Sequence, residues 1–427
     1  MDVKANLDYA RTQIEFLDKL TDRMSADEIT RDRGDDFQRD YTRIMYSSSF
    51  RKLQGKMQLL GLKDDRYFRN RLTHSLEVSQ IARAIAERLG YKNTYVIEAI
   101  SLAHDIGNPP FGHYGEGILH DIAKAYGGFE GNAQTLRVLR KIEKKNPSYA
   151  GLNLTIRSLL GVIKYYKKYD IESPKFIYDD DYDEITSYIN SKNLNISFRT
   201  LDAQIMDLAD EIAYAAHDLE DGISMRLFTV DDILYEYTKL IKGESDTGYS
   251  RFIEIVRQSK GLAQMSNTYD SSKEYSLILR KEILGNIVNC LINDIDFDYV
   301  SDEMRMLTGS TNIKELKFKD FGGMVEALKF VTFKCINRRD TVQLYEKQGE
   351  IILRSLYEVF MDEQFNKEGM LLPPEYRPKS GSKLEPRSVI DYLSGMMDSY
   401  ALSAYKKYFG ENSLEEIYSK FKYYKKI

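Results

Sequence analysis

The chain has 427 residues, 42% of them hydrophobic and 30% charged, with a formal net charge of −5. That supplies apolar material for one large or two ordinary soluble domains, and the acidic balance gives no general case for nucleic-acid binding. No apolar run is long enough to span a bilayer, and the N-terminal MDVKANLDYARTQ lacks the apolar segment of a signal peptide.

Taken in chain order, residues 56–70 predict a β-hairpin, with KMQLL and RYFRN around GLKDD. Most of the remainder reads with helical period. His74, Val78, Ile81, Ile85 and Leu89 fall on one stripe, as a buried helix face requires. Ile97, Ile100 and His104 form a second stripe, ended by Gly107 and Pro109-Pro110. The acidic run Asp179 to Asp183 and the basic stretch from Tyr376 to Arg387 read as surface loops. Residues 201–220 predict a third strong helix. A faint change near 225 divides a first part, 1–225, that holds the chemistry from a helical region, 226–427, packed on it as one globular unit. Cys290 and Cys335, far apart in helical patterns, read as buried free thiols in a reducing, cytoplasmic compartment.

The densest chemistry lies in AISLAHDIGNPPFGHYGEG (99–117). Of the five histidines in the chain, three fall between His104 and His120. A lone inward histidine is ordinarily a core residue with one hydrogen bond. Here two, His74 and His104, sit on inward stripes with Asp105 beside the second, and the third helix adds Asp210. Buried carboxylates are costly unless paired or metal-bound, and two imidazoles with two carboxylates suit a divalent ion with positions left for water and substrate oxygens. Asp210, Tyr214 and Asp218 recur at i, i+4 and i+8, so they climb one helix face. Metal ligand, ring and carboxylate in line suit a phosphate, a ring and hydroxyl groups, against the plainer reading of a solvated flank.

These residues resemble the metal quartet of the HD-domain phosphohydrolases. The words RKLQGKMQ (51–58), RNRLTHSLEV (69–78), AHDIGNPPFGHYGE (103–116), FEGNAQTLR (129–137), GLNLT (151–155), IMDLADEIAYAAHDLED (205–221) and IDYLSGMMDSYA (390–401) resemble, in this order, the deoxyguanosine triphosphate triphosphohydrolases. The resemblance is weakest between about 225 and 330. It implies an all-α fold: an HD-domain helical bundle with a small β-hairpin near the active site and additional C-terminal helices.

The implied reaction is hydrolysis of a deoxynucleoside triphosphate, dGTP favoured, to deoxynucleoside and inorganic triphosphate, with Mn²⁺ or Mg²⁺ held by His74, His104, Asp105 and Asp210. By resemblance, His113 is the general acid, oriented by Glu116; Arg71, Asn108, Lys164 and Tyr165 line the phosphate region. Tyr214 packs under the deoxyribose, and Asp218 and Gln58 contact its 3′-hydroxyl. One departure stands out: some relatives carry His where this chain has Gly131, which leaves Asn132 and Gln134 as polar contacts. Asp391, Tyr392 and Asp398 read as core packing. The resemblance also implies a homo-oligomer, tetramer or hexamer. Two other readings compete: an HD phosphohydrolase acting on a nucleoside monophosphate, cyclic nucleotide or guanosine tetraphosphate, and a regulator binding single-stranded DNA through KYYKK (164–168) and the tail KFKYYKKI (420–427).

Overall fold

Many of the helices begin where short polar side chains take up free backbone N–H groups. Asn70 caps the Arg71–Arg88 helix in a reciprocal capping box with Thr73, and Thr200 caps Leu201–Ser224 through the Ala203 N–H. A computed structural model describes residues 3–26, 34–58, 69–242, 245–265, 271–337, 340–379 and 382–410. Eighteen α-helices, five short 3₁₀ or π elements and one two-stranded antiparallel sheet make up the regular structure of these residues. None of their helices is long and apolar enough to cross a membrane.

Three helices form the frame of the site. Arg71–Arg88 packs on both Tyr95–Ala103 and Leu201–Ser224, and Asp36–Met45 covers Tyr95–Ala103 from the other side. Their apolar stripes, with Val78, Ile81 and Ile85 from one helix, Ile97 and Ile100 from the next, and Ile205, Ala209 and Ile212 from the third, merge in the main core. Fully burying each such side chain stabilises the fold by about 1.5–3 kcal/mol before conformational entropy is counted. A second core joins Gly112–Ala123 to the C-terminal helices Asp340–Met361, Pro386–Ser394 and Asp398–Phe409. The region after 320 is thereby fastened to the segment that carries His113. Cys290 and Cys335 are both buried, and neither is in a disulfide.

Several local readings need correction. The acidic run is not a loop: Asp179–Asp181 form the first turn of the Asp179–Ser191 helix, where carboxylates meet the positive end of the backbone dipole. Asp181 is fully buried and pairs with Arg140. The helix expected to run to Gly107 closes at Ala103, with His104 as its C-cap. The proposed hairpin lies largely outside the described residues, which include only its base: an antiparallel bridge between Met57 and Asn70, and Arg71 N donating to the Lys56 carbonyl at 3.0 Å. The observed sheet pairs Ile295–Tyr299 with Lys314–Phe318. It lies in a region read as helical, although IDFDY alternates apolar and acidic residues with strand period.

Candidate active site

At the end of the Tyr95–Ala103 helix the chain turns sharply. His104 donates from Nδ1 to the Ser101 carbonyl at 2.6 Å, which fixes its tautomer and leaves Nε2 bare. Thr135 Oγ1 donates to the His104 carbonyl and accepts from Gly107 N, both at 2.9 Å. The approach needs glycine at 107, because a Cβ there would lie 2.2 Å from Thr135 N and 2.3 Å from the Gly131 carbonyl oxygen.

His74 Nε2 lies 3.1 Å from Asp210 Oδ1, and His104 Nε2 lies 3.3 Å from the same oxygen. One donor atom from each of the three residues falls within 4.8 Å of the others. All three are buried, and His104 Nε2 has no hydrogen-bond partner. Two imidazole nitrogens and a carboxylate oxygen on three rigid elements, one nitrogen unpartnered, fit a divalent metal. Burial opposes ionisation of Asp210, but Lys164, 2.8 Å from its Oδ2, and His104 hold it well below the ordinary carboxylate range. For His104 the desolvation that would lower its pKa is outweighed by Asp105 and Asp210, which raise it.

Asp105 stands beside the trio rather than within it. Its Oδ1 is 3.5 Å from His104 Nε2. Arg71 Nη1 donates to its Oδ2 at 2.8 Å, and Asn108 Nδ2 donates to its Oδ1. Desolvation would raise its pKa, yet Arg71 and the two histidines keep it down at about 2.

A cavity of about 680 Å³ opens over these groups, and Gln58, Arg71, Asn108, His113, Glu116, Lys164, Tyr165, Tyr214 and Asp218 all line it. His113 is exposed to it and meets Glu116 Oε2 through Nδ1 at 3.2 Å. Glu116 accepts from Gly131 N at 2.9 Å on its other oxygen. Against the upward push of burial, the His113 bond and Lys175 hold the carboxyl at about 2, so it stays an anion beside the imidazole. A Cβ on Gly131 would sit 2.7 Å from Asn108 Oδ1, so a larger side chain here requires Asn108 to shift. Tyr214 faces the His74 ring at 5.1 Å, and Gln58 Oε1 is buried without a partner. Asp218, desolvated and near Asp221, is pushed well above the carboxylate range.

Gln134 departs from expectation. It is fully buried outside the cavity, donating to Asp391 at 3.0 Å and accepting from Tyr178 at 3.0 Å; Asn132 alone of that pair faces the opening. His120 bonds the Phe129 carbonyl at 2.9 Å, a structural role. Sequence reasoning missed Lys175, which lines the cavity, pairs with Glu130 at 2.9 Å and sits 5.4 Å over the Tyr165 ring. It also missed the wall formed by Lys329, Phe330, Phe333 and Tyr345. Phe330 and Phe333 are large apolar side chains left exposed in a helix otherwise buried on its core face, a property that only the folded chain displays.

The HD domain model matches residues 71–215, and the phosphohydrolase-associated domain matches residues 320–407. The chain is 45% identical to deoxyguanosinetriphosphate triphosphohydrolase-like protein 2 of Vibrio cholerae serotype O1, over 97% of this chain and 98% of that one. It is 32% identical to a deoxyguanosinetriphosphate triphosphohydrolase-like protein of Shewanella sp. (strain ANA-3), over 88% and 93% of the two chains. With a like-named protein of Shewanella halifaxensis the identity is also 32%, over 92% and 96%. The HD match spans His74, His104, Asp105 and Asp210, the residues that converge beneath the cavity. The chain therefore belongs to the HD-domain phosphohydrolases of the deoxyguanosinetriphosphate triphosphohydrolase-like family.

Proposed function

We propose that this hydrolase cleaves a deoxynucleoside triphosphate, dGTP favoured, to the deoxynucleoside and inorganic triphosphate. The observation that carries the reading is that Asp210, Tyr214 and Asp218, in succession on one helix, line the same cavity as the His113–Glu116 pair. His74, His104 and Asp210 would hold Mn²⁺ or Mg²⁺, with Asp105 next to them. When bound, the ion supplies Lewis-acid polarisation of a phosphoryl oxygen and lowers the pKa of a bound water.

The chain's own groups do the rest. Lys164, Lys175 and Arg71 offer charge-assisted donors to the phosphates. His113, protonated at Nε2 while Nδ1 faces the Glu116 carboxylate, donates its proton to the departing 5′ oxygen. Tyr214 supports the sugar and crowds a 2′-hydroxyl, while Asp218 and Gln58 take the 3′-hydroxyl. Glu116, anionic at neutral pH, faces His113 Nδ1 at 3.2 Å and orients the ring.

The nucleic-acid reading loses support from its own patch. Lys164 and Tyr165 face the cavity, Tyr166 stacks on Phe198 at 3.6 Å, Lys167 bonds the Met306 carbonyl and Lys168 pairs with Asp183. The tail 420–427 lies outside the described residues. Turnover of each of the four dNTPs, alone and in pairs, with Mn²⁺ or Mg²⁺, tests the proposal. Release of intact triphosphate is the expected product; release of monophosphate or pyrophosphate would select another phosphohydrolase reaction.

A further inference from the structure

We propose that Asp398 is the positioning residue of the cavity, a buried carboxylate that ties three separate walls together through hydrogen bonds. The inference rests on the reading of this cavity as the nucleotide site. Asp398 is 3% exposed. Its Oδ2 accepts from Met57 N at 3.0 Å and from Tyr345 Oη at 2.9 Å, and its Oδ1 accepts from Phe111 N at 3.1 Å.

Each donor belongs to a cavity wall. Gln58 follows Met57; Gly112 and His113 follow Phe111; Tyr345 lines the cavity itself. Phe111 has φ of 65°, a left-handed conformation that is unfavourable for a bulky residue and persists only where its surroundings hold it. The bond from Phe111 N to Asp398 is one restraint, and the Tyr345 ring, edge-on at 5.4 Å, is another. Phe111 immediately precedes the Gly112–Ala123 helix, so its backbone angle sets the direction in which His113 leaves the turn.

The neighbouring chain is equally close. A Cβ on Gly55 would lie 2.4 Å from Met397 Sδ. Lys56 Nζ donates to the Ser394 carbonyl at 2.8 Å and to the Asn108 carbonyl, joining the same C-terminal segment to the turn that holds Asp105. A carboxylate serving only its own helix would bond the N–H groups of its first turn. Asp398 instead bonds residues 341, 287 and 53 positions away.

The test compares full-length, metal-loaded wild type with Asp398→Asn and Tyr345→Phe. Amide hydrogen exchange is read over 53–58 and 109–117, together with the ratio of kcat/KM for dGTP over GTP. Asp398→Asn should speed exchange in both segments about tenfold and lower the ratio about fivefold or more; Tyr345→Phe, which removes one bond, should move both in the same direction by less. A loss of folded protein scales both substrates equally and leaves the ratio alone. Unchanged exchange in both segments, or a ratio within about twofold of wild type, overturns the proposal. If Asp398→Asn does not fold, exchange over 109–117 in Tyr345→Phe decides: faster supports it, unchanged overturns it. If wild type turns over no dNTP, the proposed activity fails, and exchange alone decides the positioning role.

Discussion

Asp210 Oδ1 lies within 3.3 Å of both His74 Nε2 and His104 Nε2, so a single carboxylate oxygen is the meeting point of three helical segments. Its other oxygen is held by Lys164 at 2.8 Å. Removing this carboxylate takes away the anion nearest both imidazoles and leaves Asp105, 3.5 Å from His104 Nε2, as the remaining one. Asp210→Ala should therefore lose metal retention by elemental analysis and lose turnover with it. Asp105→Ala should also lose both, by freeing Arg71 from its partner and removing the second carboxylate beside His104. Stoichiometric metal with near-normal rate would contradict the ligand assignment in Asp210→Ala, and in Asp105→Ala the supporting role given to that carboxylate.

Acid catalysis makes a separate demand. His113→Ala should keep metal and substrate binding while hydrolysis of dGTP slows by roughly 10²–10⁴-fold, the scale for losing a positioned acid. A nitrophenyl phosphodiester, whose leaving group needs no proton, should lose far less. Glu116→Gln should give a milder version, because the weaker, neutral hydrogen bond to Nδ1 orients the His113 ring less well. Single-turnover rates on both substrates measure this; equal losses on the two would remove the acid role from His113.

Sugar choice should follow Tyr214. The wild-type protein is expected to hydrolyse GTP far more slowly than dGTP, and Tyr214→Ala should narrow that gap. The check is kcat/KM for the two nucleotides in both proteins. Equal turnover by wild type would end the sugar-pocket reading.

Lys56 makes a prediction about pH and stability. It is 2% exposed, and desolvation, helped by nearby Arg71, lowers its pKa to about 7. The folded pKa is thus below the unfolded value of about 10.4. Between these limits the unfolded chain binds the extra proton, so the contribution of Lys56 to stability is present above the upper limit and is lost as pH falls through 7. Relative to Lys56→Met, wild type should gain stability as pH rises from 7 to 9.5, by an amount on the order of a few kcal/mol. Denaturant melts of both proteins across that range measure the difference; parallel curves would mean that Lys56 stays charged in its burial site.

Below the active-site frame, Arg157 and Asp202 are both fully buried, joined by bonds of 2.7 and 3.1 Å, and Tyr91 donates to the same carboxylate at 2.8 Å. Asp202→Ala leaves a buried guanidinium without its main counter-charge. It should destabilise the protein by about 3–5 kcal/mol in equilibrium unfolding. A change below about 1 kcal/mol would mean that water or Asp18 compensates.

The sequence by itself determined the helical frame, because a 3.6-residue period is a local property. His74, Val78, Ile81 and Ile85 declare one buried face without knowledge of what covers it. The His-Asp pair, the Gly-Asn-Pro-Pro turn and the Asp210, Tyr214, Asp218 ladder were legible for the same reason: each is a short-range spacing. Local patterns also misled, as at Asp179 to Asp183, where an acidic cluster fits a loop and a helix N-terminus equally well. The Ile295–Tyr299 strand is not legible in the sequence because five residues with three apolar positions weigh little beside long helices. Only the tertiary structure decided that Asp105 belongs to Arg71, that Gln134 faces Asp391 rather than the cavity, and that Lys175 comes to Glu116 and Tyr165. It also decided that Asp398, within a segment that reads as packing, reaches Met57, Phe111 and Tyr345. A buried charge takes its meaning from the partner that offsets its desolvation, and when that partner lies hundreds of residues away no local spacing encodes the pair.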